Sequence, residues 1–128
     1  MLDRILPASA KLRFATKAED ALRLVREFTP DLVLLDAEMP GMSGFQVFAA
    51  LKAQPEMVDV PVILVTSRSD ADFEIAGFEM GAAEFIVKPV NARFMLAPIK
   101  TQLRGVAAAD RSGSLQAVQL SIWPRPGR

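Results

Sequence analysis

The amino-acid composition limits this chain to a small set of functions. Its 128 residues suffice for one domain, and a hydrophobic content of 51% predicts a globular core. The absence of Cys and His excludes disulfides, thiol chemistry and His-based catalytic or metal sites. Because 15 basic residues balance 15 acidic ones, we expect no nucleic-acid-binding surface. No apolar run has membrane-spanning length and the start does not resemble a signal peptide, so we expect a cytoplasmic protein without a membrane segment.

Short apolar runs alternate with segments of helical length along the chain. Strands are predicted, in chain order, at Lys11–Ala15, Asp31–Leu35, Val60–Val65 and Glu84–Val87. The helices that follow them are expected to begin at the capping residues Thr16, Ser43, Ser69 or Asp70, and Asn91. This alternation favours an α/β fold with a mainly parallel sheet.

Three of the predicted strands are followed by polar residues of different chemistry. Asp36 follows DLVLL, Thr66 follows VILV, and Lys88 follows FIV. Because the carboxyl ends of parallel strands share one edge of a sheet, we expect these side chains to converge there. A carboxylate, a hydroxyl and an ammonium are the nucleophile, hydrogen-bond donor and counter-charge required around a phosphoryl group on a carboxylate.

The segment DLVLLDAEMPGMSGFQV resembles the phosphoacceptor segment of response-regulator receiver domains, the CheY-like family. Further motifs of that family lie in register downstream, and the resemblance extends from about Lys11 to Leu103. The matching positions are Asp36 (phosphoacceptor), Met39-Pro40-Gly41, Gly44, Thr66 (switch hydroxyl), Phe85 (switch aromatic) and the Lys88-Pro89 pair.

The resemblance implies both a fold and a function. The fold would be flavodoxin-like, with helices on both faces of the sheet. The function would be that of a receiver in two-component phosphorelay signalling, not an enzyme, which accepts a phosphoryl group on Asp36 from a partner histidine kinase or phosphotransfer protein. Thr66 and Phe85 would then shift together, Lys88 would contact the phosphoryl group, and the peptide bond between Lys88 and Pro89 would be cis.

One part of the family pattern is missing from the chain. Family members begin with an apolar strand that ends in two acidic residues, which hold Mg²⁺, whereas this chain begins MLDRILPASAKLRFAT. The resemblance then leaves only the Asp36 carboxylate and the Glu38 backbone carbonyl for Mg²⁺, so weak binding and impaired phosphorylation are expected. The missing strand is an interior one in the family, so we expect an N-terminally incomplete sheet with an open edge. That edge, or the face of the last helix, could support self-association.

The sequence after Leu103 departs from the family pattern. We predict a receiver domain over 1–104 and a linker-like tail over 105–128, because GVAAADRSGSL is small and polar. Within the tail, the alternating stretch Val118–Trp123 is the single unassigned strand-like candidate that could fill the gap in the sheet.

Two other functions remain open at this stage. Asp36, Glu38, Thr66 and Lys88 also follow the order of the haloacid-dehalogenase-type phosphatases, although these enzymes need further carboxylates after the Lys. Alternatively, the missing strand is compatible with a non-phosphorylated pseudo-receiver that acts as an interaction module, or with an incomplete gene product.

Overall fold

The protein is built around a five-stranded parallel sheet, as the sequence predicts for an α/β fold. The computed structural model describes residues 11–38, 43–68, 70–88, 97, 101–102 and 116–120. The strands are β1 (Lys11–Ala15), β2 (Leu32–Asp36), β3 (Val62–Thr66), β4 (Glu84–Val87) and β5 (Gln116–Leu120), in the spatial order β1-β5-β2-β3-β4. The helices are α1 (Ala18–Phe28), α2 (Gly44–Lys52) and α3 (Ala71–Glu79), with a 3₁₀ turn at Pro55–Met57.

The core forms around the central strands, whose side chains are buried on both faces. Every residue of β2 and β3 is buried, which explains why these strands read as continuous apolar runs rather than as alternating ones. On one face, Val33 and Leu35 join a cluster with residues of α1 and α2. On the other face, Leu34 and Ile63 are also fully buried. No helix in the described part of the chain is long and apolar enough to cross a membrane.

The gap expected in the sheet is filled from within the chain. Strand β5 lies between β1 and β2 and pairs in parallel with both, with Val118 opposite Arg13 on one side and Val33 on the other. The sequence placed this strand at Val118–Trp123, and the structure begins it two residues earlier. The edge between β1 and β2, expected to be open unless another segment filled it, is therefore closed, because β5 pairs with the backbone of both strands. Residues 116–120 are part of the sheet.

Polar contacts fix the position at which β5 begins. Gln116 donates its backbone N–H to Asp31 Oδ2 (2.8 Å), and Asp31 donates its own N–H to the Gln116 carbonyl (2.7 Å). The Arg13 guanidinium donates to Gln116 Oε1 and lies 3.5 Å from the centre of the Phe28 ring. These contacts set the register of β5, because a shift of one residue would turn its apolar side chains to the opposite faces.

The helices begin at the predicted capping residues in two of three cases. Ser43 accepts the N–H of Gln46 at 3.5 Å, and Asp70 accepts the N–H of Phe73 at 3.1 Å. The prediction of Thr16 as a cap is wrong: α1 begins at Ala18, and Lys17 precedes it without a side-chain cap. Several predicted features lie outside the described residues, namely Ser69, the Met39-Pro40-Gly41 motif, the Lys88–Pro89 peptide geometry, the helix beginning at Asn91, and Trp123.

Glycine is required at the start of α2 by a close approach to the loop after β2. A Cβ atom on Gly44 would lie 2.6 Å from the Ala37 Cα and 2.8 Å from the Ala37 carbonyl oxygen. Real Cβ atoms do not come so close to backbone, so the helix or the loop would have to move.

We therefore expect Gly44→Ala to destabilise the protein by about 1–3 kcal/mol, as in overpacked cores. Urea unfolding followed by circular dichroism measures this difference. An unchanged free energy of unfolding would mean that α2 and the loop after β2 can move apart at no cost. That result would contradict the claim that glycine is required at position 44.

Candidate functional site

Three polar side chains predicted to converge lie at the carboxyl ends of three adjacent strands. Asp36 ends β2, Thr66 ends β3, and Lys88 follows β4 directly. The parallel register places Asp36 opposite Val65 and Thr66 opposite Val87, so the three residues occupy one edge of the sheet. The N–H of Lys88 donates to the carbonyl of Thr66, which ties the end of β4 to that of β3.

Lys88 and Asp36 form an ion pair at this edge. The Lys88 ammonium lies 3.0 Å from Asp36 Oδ1 and 3.2 Å from Asp36 Oδ2. The Asp36 side chain is 4% exposed, whereas that of Lys88 is 24% exposed. Asp36 Oδ1 also accepts the N–H of Glu38 at 2.9 Å, which shapes the loop that leaves β2. The carboxylate is thus held in one orientation, with a cation directly beside it.

A second carboxylate, from Glu38, enters the same site. It accepts a hydrogen bond from the Thr66 hydroxyl and two from the Ser67 N–H, at 2.7 and 2.9 Å. Lys88 Nζ lies 3.4 Å from its Oε1. Partial burial opposes ionisation, but the hydrogen bonds from Thr66 and Ser67 and the charge of Lys88 outweigh it, so the pKa of Glu38 lies below its usual value.

The family resemblance assigns a role only to the backbone carbonyl of Glu38, whereas the structure places its side chain in the site as well. The Glu38 side chain takes part in the site because it extends to the end of β3. No local sequence pattern predicts this contact. The place of Glu38 two residues after Asp36 was the one available signal, since this short spacing keeps both carboxylates at the same edge.

The predicted switch aromatic, Phe85, packs against a group of rings beside the site. Its ring meets Phe73 edge-on at 5.8 Å between centroids, and Phe78 lies 6.1 Å away. Phe73 in turn stacks on Phe45 at 4.7 Å, which links α3 to α2. A Cβ on Gly77 would come within 3.3 Å of the Phe85 ring, so the small residue leaves room for the aromatic side chain. These rings connect the strand that precedes Lys88 to two helices.

The carboxylates at the described site are engaged by other groups of the chain. No group of three acidic side chains that could hold a metal ion occurs among them. Asp36 is engaged by Lys88, and the Glu38 carboxylate is turned towards Thr66 and Ser67. Mg²⁺ prefers carboxylate and water oxygens in a near-octahedral arrangement, so an ion bound here would have to share Asp36 with Lys88.

Comparison with known proteins identifies relatives of this chain. A family model, the response regulator receiver domain, matches residues 2–100. The chain is 33% identical over 110 residues to the phosphate regulon transcriptional regulatory protein PhoB of Pseudomonas aeruginosa, covering 86% of this chain and 48% of PhoB. It is 40% identical over 90 residues to the transcriptional regulatory protein AfsQ1 of Streptomyces coelicolor, covering 70% and 39%. The chain thus spans half or less of the length of these relatives.

Solved structures give the same result for the fold. A response regulator from Desulfuromonas acetoxidans matches with a TM-score of 0.62 and 34% identity, over 72% of this chain and 75% of that one. The chemotaxis protein CheY4 of Vibrio cholerae matches with a TM-score of 0.66 over 73% of this chain and 98% of that one, and at 21% identity it supports the fold alone. The sequence motifs, the parallel sheet and these matches agree with one another. The chain belongs to the response regulator receiver domain family.

Proposed function

We propose that this chain acts as a phosphoacceptor in a two-component system, with Asp36 as the residue that receives the phosphoryl group. The observation that carries the proposal is the contact of Lys88 Nζ with both oxygens of Asp36, beside the Thr66 hydroxyl on the next strand. A fixed carboxylate is a competent nucleophile, and an adjacent ammonium offsets the charge that develops on the transferring phosphoryl group.

The donor in this proposal is a histidine kinase or a phosphotransfer protein that carries phosphohistidine. An Asp36 oxygen attacks phosphorus, the P–O bond forms, and the P–N bond to the donor imidazole breaks. The imidazole leaves with the electron pair of that bond and takes up a proton. The result is an acyl phosphate on Asp36, so the chain is a transfer partner and not a catalyst with turnover.

The response in this proposal involves Thr66 and Phe85. A phosphoryl group on Asp36 would compete for the Thr66 hydroxyl, which also accepts the N–H of Arg68 at 3.1 Å. Movement of Thr66 would change the end of β3, and Phe85 on β4 would repack against Phe73 and Phe78. The outcome is a shift between two arrangements of the α3–β4 surface, driven by a local change of charge. A cytoplasmic location, expected from the sequence, is part of the same proposal.

A second candidate is the non-phosphorylated interaction module. The observation that favours it is the Glu38 carboxylate, which already takes the hydrogen bonds of Thr66 and Ser67. The phosphatase alternative is not retained, because the receiver family match covers residues 2–100.

Replacement of Asp36 tests the proposal directly. Acetyl phosphate with Mg²⁺ should label the wild-type chain, while Asp36→Asn should remain unlabelled, because the amide is not a nucleophile for phosphorus. Intact-mass spectrometry detects the added phosphoryl group. Equal labelling of both chains would assign the acceptor to another residue, and no labelling of either would favour the interaction module.

Binding of Mg²⁺ should be weak, with a dissociation constant well above that of receivers that keep two acidic residues after their first strand. The resemblance leaves only the Asp36 carboxylate and the Glu38 backbone carbonyl as ligands, and Lys88 already contacts both oxygens of Asp36. Isothermal titration calorimetry measures this dissociation constant. Tight stoichiometric binding by the wild type would contradict the prediction.

A further inference from the structure

The end of β3 and the residue after β4 form a cradle for an anion beside Asp36. Its three donors are the Thr66 hydroxyl, the Ser67 backbone N–H and the Lys88 ammonium. Each is a strong partner for a charged oxygen, and all three contact the same carboxylate, that of Glu38. We call this set of donors the anion cradle.

The Glu38 side chain reaches the anion cradle because of the turn that follows β2. The Glu38 N–H donates to Asp36 Oδ1 at 2.9 Å, and this bond folds the chain back towards the sheet edge. One Glu38 oxygen meets the Thr66 hydroxyl, both accept from Ser67, and Oε1 lies 3.4 Å from Lys88 Nζ. All three donors of the cradle are therefore engaged by one carboxylate of the same chain.

We propose that Glu38 is a built-in anion that occupies the anion cradle in the unphosphorylated protein and must leave it before a phosphoryl group can be accommodated. The inference rests on the proposed function, since the group it excludes is the one that Asp36 would receive. The position of Glu38 makes the site self-inhibited. Its side chain shields Thr66, Ser67 and Lys88 from the incoming phosphoryl group until it moves out of the cradle.

The negative charges at the site strengthen the competition between Glu38 and an incoming phosphoryl group. Among the described residues, the site brings together the carboxylates of Asp36 and Glu38 and the ammonium of Lys88. Phosphorylation would place further negative charge on Asp36, at a position where Glu38 already offsets the one ammonium. Like charges repel in a partly buried site, so the Glu38 carboxylate that fills the cradle also raises the barrier to placing a phosphoryl group there.

Two substitutions of Glu38 and one matched control test the inference. Glu38→Gln removes the charge at nearly constant shape, and Glu38→Ala removes the whole group. Glu56→Gln makes the same chemical change at an exposed glutamate on the 3₁₀ turn. Each chain is treated with acetyl phosphate and Mg²⁺, and the rate of labelling at Asp36 is measured by mass spectrometry. Separately, and without phosphodonor, the Ser67 amide signal is followed by NMR.

We expect both Glu38 variants to be labelled about tenfold faster than the wild type, which is the effect of removing one charged hydrogen-bonding competitor. Glu56→Gln should be labelled at the wild-type rate. The Ser67 amide signal should move in both Glu38 variants and remain in place in Glu56→Gln, because the Ser67 N–H donates to the Glu38 carboxylate.

The two readouts separate this inference from the proposed function. An unmoved Ser67 signal, or labelling of the Glu38 variants at or below the wild-type rate, would overturn the inference and leave Asp36 as the phosphoacceptor. A moved Ser67 signal with no labelling of any chain would overturn phosphorylation as the function, while Glu38 would stand as the permanent occupant of the cradle.

Discussion

Deletion of Ser112–Arg128 should abolish cooperative folding or lower the melting temperature by more than 10 °C. The deletion removes β5, whose side chains Ala117, Val118 and Leu120 are at most 1% exposed. Each large apolar residue contributes roughly 1.5–3 kcal/mol through burial, and β1 and β2 would also lose their backbone partners. Against a typical domain stability of about 5–15 kcal/mol, this loss leaves little margin.

A shorter truncation provides the matched control. Deletion of Pro124–Arg128 leaves β5 and its contacts intact, so its melting temperature should stay close to that of the full chain. Thermal unfolding by circular dichroism and the oligomeric state by light scattering distinguish the outcomes. A monomeric Ser112–Arg128 deletion with an unchanged melting temperature would mean that β5 contributes nothing to the sheet in solution.

The Lys88→Met substitution should reduce labelling of Asp36 about hundredfold, the effect typical for loss of one group that stabilises developing negative charge. A hundredfold change corresponds to about 2.7 kcal/mol, and the effect on folding should be smaller, about 1–2 kcal/mol. Removal of the ammonium leaves Asp36 and Glu38 without their shared cation, but the Lys88 side chain is partly exposed, so water offsets part of the loss.

A double-mutant cycle separates charge from packing in this comparison. If the ammonium acts on the Asp36 carboxylate, the chain with both Asp36→Asn and Lys88→Met should be more stable than the sum of the single changes predicts. Lys17→Met, at an exposed site before α1, controls for loss of a surface charge. Unfolding of Lys88→Met under conditions where Asp36→Ala stays folded would make the lysine structural and contradict its proposed role.

The sequence predicted the positions of four strands closely, with the exact bounds for β1 and β4. Strands β2 and β3 are covered on both faces, so their apolar runs gave their positions to within two residues. Their carboxyl ends also predicted which polar residues meet, since parallel strands share one edge. Asp36, Thr66 and Lys88 lie at that edge as a consequence of topology alone.

Prediction was less accurate where distant contacts decide the local structure. Strand β5 begins at Gln116 because Asp31 and Arg13 hold that residue, and neither contact is visible in the local pattern. The placement of the Glu38 side chain was missed for the same reason, because it depends on donors from β3 and β4. Helix α1 starts without the predicted cap at Thr16, which shows that tertiary packing can replace a local signal.

The place of β5 in the sheet also determines when the domain can form. The strand between β1 and β2 is the last of the five to be synthesised, and the contact between Arg13 and Gln116 joins residues 103 positions apart. While the chain emerges from the ribosome, β2, β3 and β4 can assemble in order, but β1 has no neighbour until the last strand arrives. Contacts so distant in sequence slow folding, because the entropy of closing a long loop is lost before they form. Assembly of this sheet is therefore a late event, and the nascent chain exposes the apolar flank of β2 until synthesis has passed Leu120.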